Sequence, residues 1–128
     1  MANTDNIVSF IAASTISEFN VVRFDADGKI ATANSGSDKR IVGIAQRGGV
    51  AGDAIDVKIS GITRAIAGAG ITYNTNPLLM AGASGDLVTC TATNFPIARA
   101  IPNINQTSAS GANEQIKVLF TGPAVTLS

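Results

Sequence analysis

Side chains that could carry chemistry are few in this sequence, and their spacings fit none of the familiar constellations. Histidine is absent and Cys90 is the single cysteine. Without an imidazole, neither a Ser-His-Asp nor a Cys-His arrangement has a group titrating near neutrality to take the nucleophile's proton. A serine-lysine pair at Ser-x-x-Lys spacing is also missing, because Ala26, Gly36, Ile55 and Glu114 stand three residues before Lys29, Lys39, Lys58 and Lys117. Gly43-Ile44-Ala45-Gln46-Arg47-Gly48 has the opening spacing of a phosphate loop, but Gly49-Val50 follow where lysine and a hydroxyl must reach phosphate and magnesium. Gly68-Ala69-Gly70 opens like a dinucleotide fingerprint and then places Tyr73 at the third glycine. Asp25-Ala26-Asp27-Gly28 resembles the middle of a calcium loop whose first ligand would be Arg23, a cation, so a plain turn is expected there. The close acid pairs, Asp25 with Asp27 and Asp53 with Asp56, offer no converging cleft, since Asp56 lies on the polar face of an alternating segment. The expectation is a protein without catalytic residues, cofactor or metal site, and Cys90 reads as a small hydrophobe in the core.

Composition narrows the partner classes. Nine Lys plus Arg balance nine Asp plus Glu, and the signs are interspersed, with only Lys39-Arg40 adjacent among the cations. Duplex nucleic acid held through counterion release needs clustered cations, so no nucleic-acid partner is expected. The N-terminal segment lacks the basic start and the unbroken apolar stretch of a signal peptide, and no apolar run approaches the ~18 residues of a membrane span, so a soluble chain made in a cytoplasm is expected. With 128 residues, 45% apolar but only 5% aromatic, the chain supports one aliphatic core of modest size, and self-association is a natural source of further stability.

The elements that would have to position any site are strands. Ile55, Val57 and Ile59 alternate with Asp56, Lys58 and Ser60, and Ile116, Val118 and Phe120 alternate with Gln115, Lys117 and Leu119, the period of half-buried strands. Val21 to Phe24 and Lys29 to Thr32 flank Asp27-Gly28, which signals a tight two-residue hairpin because both residues tolerate positive φ. Ile41 to Ala45, Ile62 to Ile66, Leu87 to Thr91 and Ile97 to Ile101 complete a series of short strands separated by Gly, Asn, Ser and Pro. No stretch keeps a helical period for three turns, which leaves at most one short helix, over Ile11 to Glu18.

The two halves also repeat. Val22 and Leu79, Gly28 and Gly85, and Ile30 and Leu87 stand 57 apart, whereas Gly52 and Gly111, and Val57 and Ile116, stand 59 apart. A longer second-half loop, the polar Pro102 to Gly111, accounts for the change. The fold class expected is therefore all-β, with internal duplication and little helix, closing as a small barrel, a β-tulip-like shape or a sandwich. Residues 1–10 form an N-terminal arm and first strand, and residues 11–128 form a single β domain with a first unit over 15–66 and a second over 71–120.

Thr15-Ile16-Ser17 leading to Val21-Val22, then Asp25 to Ile30, Val42-Gly43-Ile44-Ala45, and Ala51-Gly52-Asp53 before Ile55-Asp56-Val57 resemble the small capsid decoration, or cement, proteins of tailed phages. Asn76-Pro77-Leu78-Leu79, Ser84 to Val88, Ile97 to Ala100 and Gly111 to Val118 resemble a second pass of the same block. Asn20 and Asn76 replace the glycine usual before the first strand of each pass, and asparagine is the non-glycine residue best suited to positive φ. The resemblance implies a subunit, commonly a homotrimer, that sits on the outer surface of the virion head, binds the major capsid protein and cements neighbouring capsid subunits in the expanded shell.

For such a role the residues to watch are Ile7, Val8, Phe10 and Ile11, which are apolar on both faces of one stretch and call for a covering partner. Arg47 and Arg99, which follow related segments in the two halves, could pair with acids of a neighbour. The polar and then apolar arm suits strand addition to a capsid sheet edge. The main alternative is a carbohydrate- or receptor-binding β domain, against which stand the absence of Trp and the single Tyr73. A ligand-carrying barrel is a further alternative.

Overall fold

The computed structural model describes residues 6–35, 40–68, 71, 78–90, 96–101 and 114–121. They form ten short strands: β1 (Ile7–Ile11), β2 (Val21–Phe24), β3 (Ile30–Thr32), β4 (Ile41–Ala45), β5 (Ala54–Lys58), β6 (Gly61–Ile66), β7 (Leu78–Ala81), β8 (Leu87–Thr89), β9 (Ala98–Ala100) and β10 (Gln115–Phe120). Two five-stranded antiparallel sheets result, ordered β1-β5-β4-β2-β3 and β6-β10-β9-β7-β8. Shifting every label by five turns one order into the other, so the chain is all-β and internally duplicated. The register of the end pair also matches: Val8 faces Val57 in the first sheet and Ala65 faces Ile116 in the second, displaced by the 57 and 59 residues of the sequence repeat, whereas β9 is shifted by two residues relative to β4.

Each sheet curls, and in each a single parallel bridge ties the chain just after the first strand to the third, Ala12 to Ile30 and Ala67 to Leu87. The accompanying bonds also correspond, Ala13 N–H to the Ile30 carbonyl at 2.7 Å and Gly68 N–H to the Leu87 carbonyl at 2.8 Å. One bridge falls short of a closed barrel. The molecule is two layered, strongly curled sheets rather than one continuous cylinder.

Alternation decides which residues fill the interiors. On β10 the buried residues Ile116, Val118 and Phe120 alternate with exposed Gln115, Lys117 and Leu119, as period-two side chains on a one-sided sheet must. Val22, Ile30, Ala45, Ile55 and Val57 close around Ala12 and Ile16 as the interior of the first unit. Leu79, Leu87, Ile116, Val118 and Phe120 form the interior of the second, and Val21, Ala33, Ile41 and Ile44 from the first unit join that same cluster. The far face of the first sheet thus packs on the second unit, and each fully buried Val or Ile there contributes roughly 1.5–3 kcal/mol.

Several expectations need correction. The turn between β2 and β3 spans five residues rather than two, because Phe24 pairs with Ile30. Asp27 and Gly28 still carry the positive φ expected of them, 64° and 75°. No helix forms over Ile11 to Glu18; after β1 the chain bends at Ala13 and Ser14, and Ile16 bridges Gly49. Asn20 does not take the left-handed conformation; Phe19 before it does, at φ 65°, with its ring packed on the second interior. Residues 61–66, grouped by the sequence with the first unit, pair with β10 in the second sheet. The reason is Gly61, whose φ of 101° turns the chain out of the first sheet three residues after β5 ends. Asn76, Tyr73, residues 1–5 of the arm and the Pro102 to Gly111 loop lie outside the described residues.

Candidate functional site

Among the described residues, strand β1 stands at one end of the first sheet and pairs with β5. Ile7, Val8 and Ile11 are exposed along it. Ile7, Ser9 and Ile11 oppose Lys58, Asp56 and Ala54, and the Ser9 hydroxyl donates to Asp56 Oδ1 at 2.7 Å. Val8 and Phe10 point the other way, opposite Val57 and Ile55. Phe10 is half-buried against the first interior and meets Phe24 edge to face, with ring centroids 5.5 Å apart. The structure therefore leaves Ile7 and Ile11 exposed on one face of the β1 edge and Val8 exposed on the other, and uses Phe10 mainly inside the subunit.

The two arginines fall on different surfaces. Arg47 is exposed just beyond β4, and its guanidinium donates to the carbonyl oxygen of Ala54, the residue facing Ile11 across the β1–β5 pair. Arg47 thus borders the β1 edge. Arg99 lies within β9 on the outer face of the second sheet, between Leu78 of β7 and Leu119 of β10. Its counterpart by the 57-residue repeat is Val42, so the two arginines do not occupy equivalent places.

Around Arg99 runs a stripe that sequence reasoning missed. Leu78, Arg99, Leu119 and Ile62 stand side by side across β7, β9, β10 and β6, and the three apolar members are exposed, Ile62 by 58%. The signal was present in the alternation, where Leu119 and Ile62 take slots that polar residues normally hold. Cross-strand apolar pairs on a solvent-facing sheet are the expected mark of a covered surface. At the Leu78 end, the N–H of Cys90 donates to the Leu78 carbonyl at 2.9 Å, and partial burial pushes the Cys90 thiol above its ordinary value of 9.0. Among the described residues no three acid or cysteine side chains gather as a metal would require.

What the geometry offers chemically is adhesion. Among the described residues, one end strand carries exposed aliphatic side chains, and one sheet face presents an aliphatic stripe around a cation. Both are suited to protein partners.

No protein-family model and no curated protein matches this chain. Among solved structures it is similar to the N base of the head fiber gp8.5 of bacteriophage phi29, with a TM-score of 0.68, 15% sequence identity, and coverage of 94% of this chain and 99% of that one. At that identity the likeness shows a shared fold over nearly the full length of both.

Proposed function

We propose that this chain is a structural protein of a phage virion that works by binding rather than by catalysis. It decorates the outer surface of the head and ties neighbouring subunits of the major capsid protein together in the expanded shell. Subunits associate with their own kind, a homotrimer being the form the family resemblance implies. The observation that carries the reading is the exposed aliphatic edge of β1, built from Ile7, Val8 and Ile11, on a fold shared with a phage head-fiber base.

The duplication supplies the means. Strands β1 and β6 are the equivalent end strands of their sheets, and both carry exposed aliphatic residues, Ile7, Val8 and Ile11 on one and Ile62 on the other. Each subunit then has two related grips. Several modest contacts on one rigid body act at high effective concentration, so avidity exceeds single-contact affinity by about 10²-fold or more.

Co-sedimentation with isolated heads tests this. Purified protein is expected to pellet with expanded heads and to stay in the supernatant with unexpanded ones. Equal indifference to both, at micromolar protein, would remove the reading, and a glycan-array signal in its place would favour a sugar-binding domain.

A further inference from the structure

The charges of this chain balance over its whole length, nine against nine, but the fold sorts them. Strands β6 to β10, which make the second sheet, contain Arg64, Arg99 and Lys117 and no Asp or Glu. All three cations are exposed. Lys117 stands directly opposite Arg64 in the β10–β6 pair, and Arg99, opposite Leu119, is the diagonal neighbour of Lys117 across β9 and β10. Directly opposite residues have Cβ atoms ~4.5–5.5 Å apart and diagonal ones ~7–8 Å. Three segments far apart in the sequence thus bring their positive charges onto one patch.

That pattern does nothing for the isolated subunit. Like charges directly opposite each other destabilise an antiparallel pair, whereas a carboxylate at either place would stabilise it. Strand β5 of the first sheet shows the ordinary arrangement, with Asp56 and Lys58 two residues apart on one face. The cationic patch is also bordered by aliphatic side chains, since Leu78, Leu119 and Ile62 flank it and are exposed. Duplex nucleic acid would gain nothing from Leu119 or Ile62, because its affinity comes from phosphate contacts. An apolar surface enriched in arginine is instead the pattern of a protein interface.

We propose that this face of the second sheet docks an acidic, aliphatic protein surface, whose carboxylates sit against Arg64, Lys117 and Arg99 while its apolar side chains cover Leu119, Ile62 and Leu78. The proposal rests on the head-binding reading above and names the chemistry of that contact: the capsid surface beneath this face presents Asp or Glu among aliphatic residues. Charge complementarity also sets aside the simplest self-contact, because a twofold pairing of two such faces would put cation against cation.

The test uses the full chain and expanded heads in co-sedimentation. Head affinity is expected to fall about tenfold between roughly 50 mM and roughly 500 mM NaCl, because salt screens exposed charge pairs. Lys117→Glu places a carboxylate opposite Arg64; it is expected to raise the urea midpoint of the isolated subunit and to weaken head binding about tenfold or more. Leu119→Ser should weaken binding without changing its salt dependence, and Lys29→Glu, at an exposed cation of the first unit, should bind as wild type does. A Lys117→Glu chain that binds heads as well as wild type, or that is less stable than wild type, would overturn the proposal. So would a changed oligomer mass in that variant with head binding intact, or tighter binding of wild type to duplex DNA or phosphatidylserine vesicles than to heads. If wild type ignores heads altogether, the cementing reading falls, and poly-L-glutamate at low salt decides this one. Binding that Lys117→Glu abolishes keeps the acidic partner, and no binding removes it.

Discussion

Gly85→Ala is the substitution that probes the duplicated architecture most sharply. Two costs combine at this position. An alanine at φ 77° gives up the freedom that only glycine has there, about 1 kcal/mol. Its Cβ also enters the space of Thr32 Cγ2, 2.6 Å away, and of Asn20 Cγ and Cβ at 2.9 and 3.0 Å, which forces the turn off the first sheet and strains the bond to Val21. Overpacking of this kind costs roughly 1–3 kcal/mol. The sum is about 3 kcal/mol, or a fall in Tm of about 10 °C for a domain of this size. Gly28→Ala is the matched control, with nearly the same φ but open space around the Cβ, so it loses only the backbone share, about 1 kcal/mol. Both are compared with wild type by urea unfolding on dissociated subunits, so that assembly contributes to neither. Equal losses in the two variants would refute the claim that the Gly85 turn is wedged between the units.

Other substitutions report on separate contacts. Thr63→Val removes the acceptor of the Gln46 Nε2 bond, 3.0 Å long, that links the two units; a loss of about 1 kcal/mol in urea unfolding is expected, since Gln46 keeps its second bond to the Ile44 carbonyl. Gly43→Ala drives a Cβ into the Lys58 carbonyl oxygen and to 2.7 Å from Val57 Cγ1, and pairing of β4 with β5 should weaken by about 3 kcal/mol, read as loss of amide protection in both strands. Replacing Ile7, Val8 and Ile11 together by Ser should leave Tm within a few degrees while head binding falls at least about tenfold in co-sedimentation. Burial raises the Cys90 pKa, so less thiolate is present at neutral pH, and alkylation by iodoacetamide at pH 8 should run slower in the native chain than in the urea-unfolded one.

Much of this architecture was legible in the letters. Val21 to Phe24 and Ile41 to Ala45 become β2 and β4 over the same residues, because apolar β-branched runs between turn formers have no competing helical period. The 57-residue repeat located β7 by way of Leu79, a strand that pattern alone left unmarked. What the letters could not show was which sheet a strand joins. Gly61 to Ile66 follows β5 so closely that a hairpin with it looks natural, and only the backbone at Gly61 sends it to β10. The β1 edge was visible as an excess of apolar residues on both faces. The Leu78 to Ile62 stripe was not, since it depends on cross-strand neighbours drawn from four separate segments. Phe19 shows a different limit: its positive φ is imposed by tertiary packing, whereas local preference pointed to Asn20.

The most direct measurement is a cryo-electron microscopy reconstruction of expanded heads saturated with this protein. Density for the paired five-stranded sheets should stand on the outer surface across the boundary between neighbouring capsid subunits, with the β1 edge toward the shell. Heads that remain bare, or density confined to a single capsid subunit with β1 facing solvent, would contradict the account.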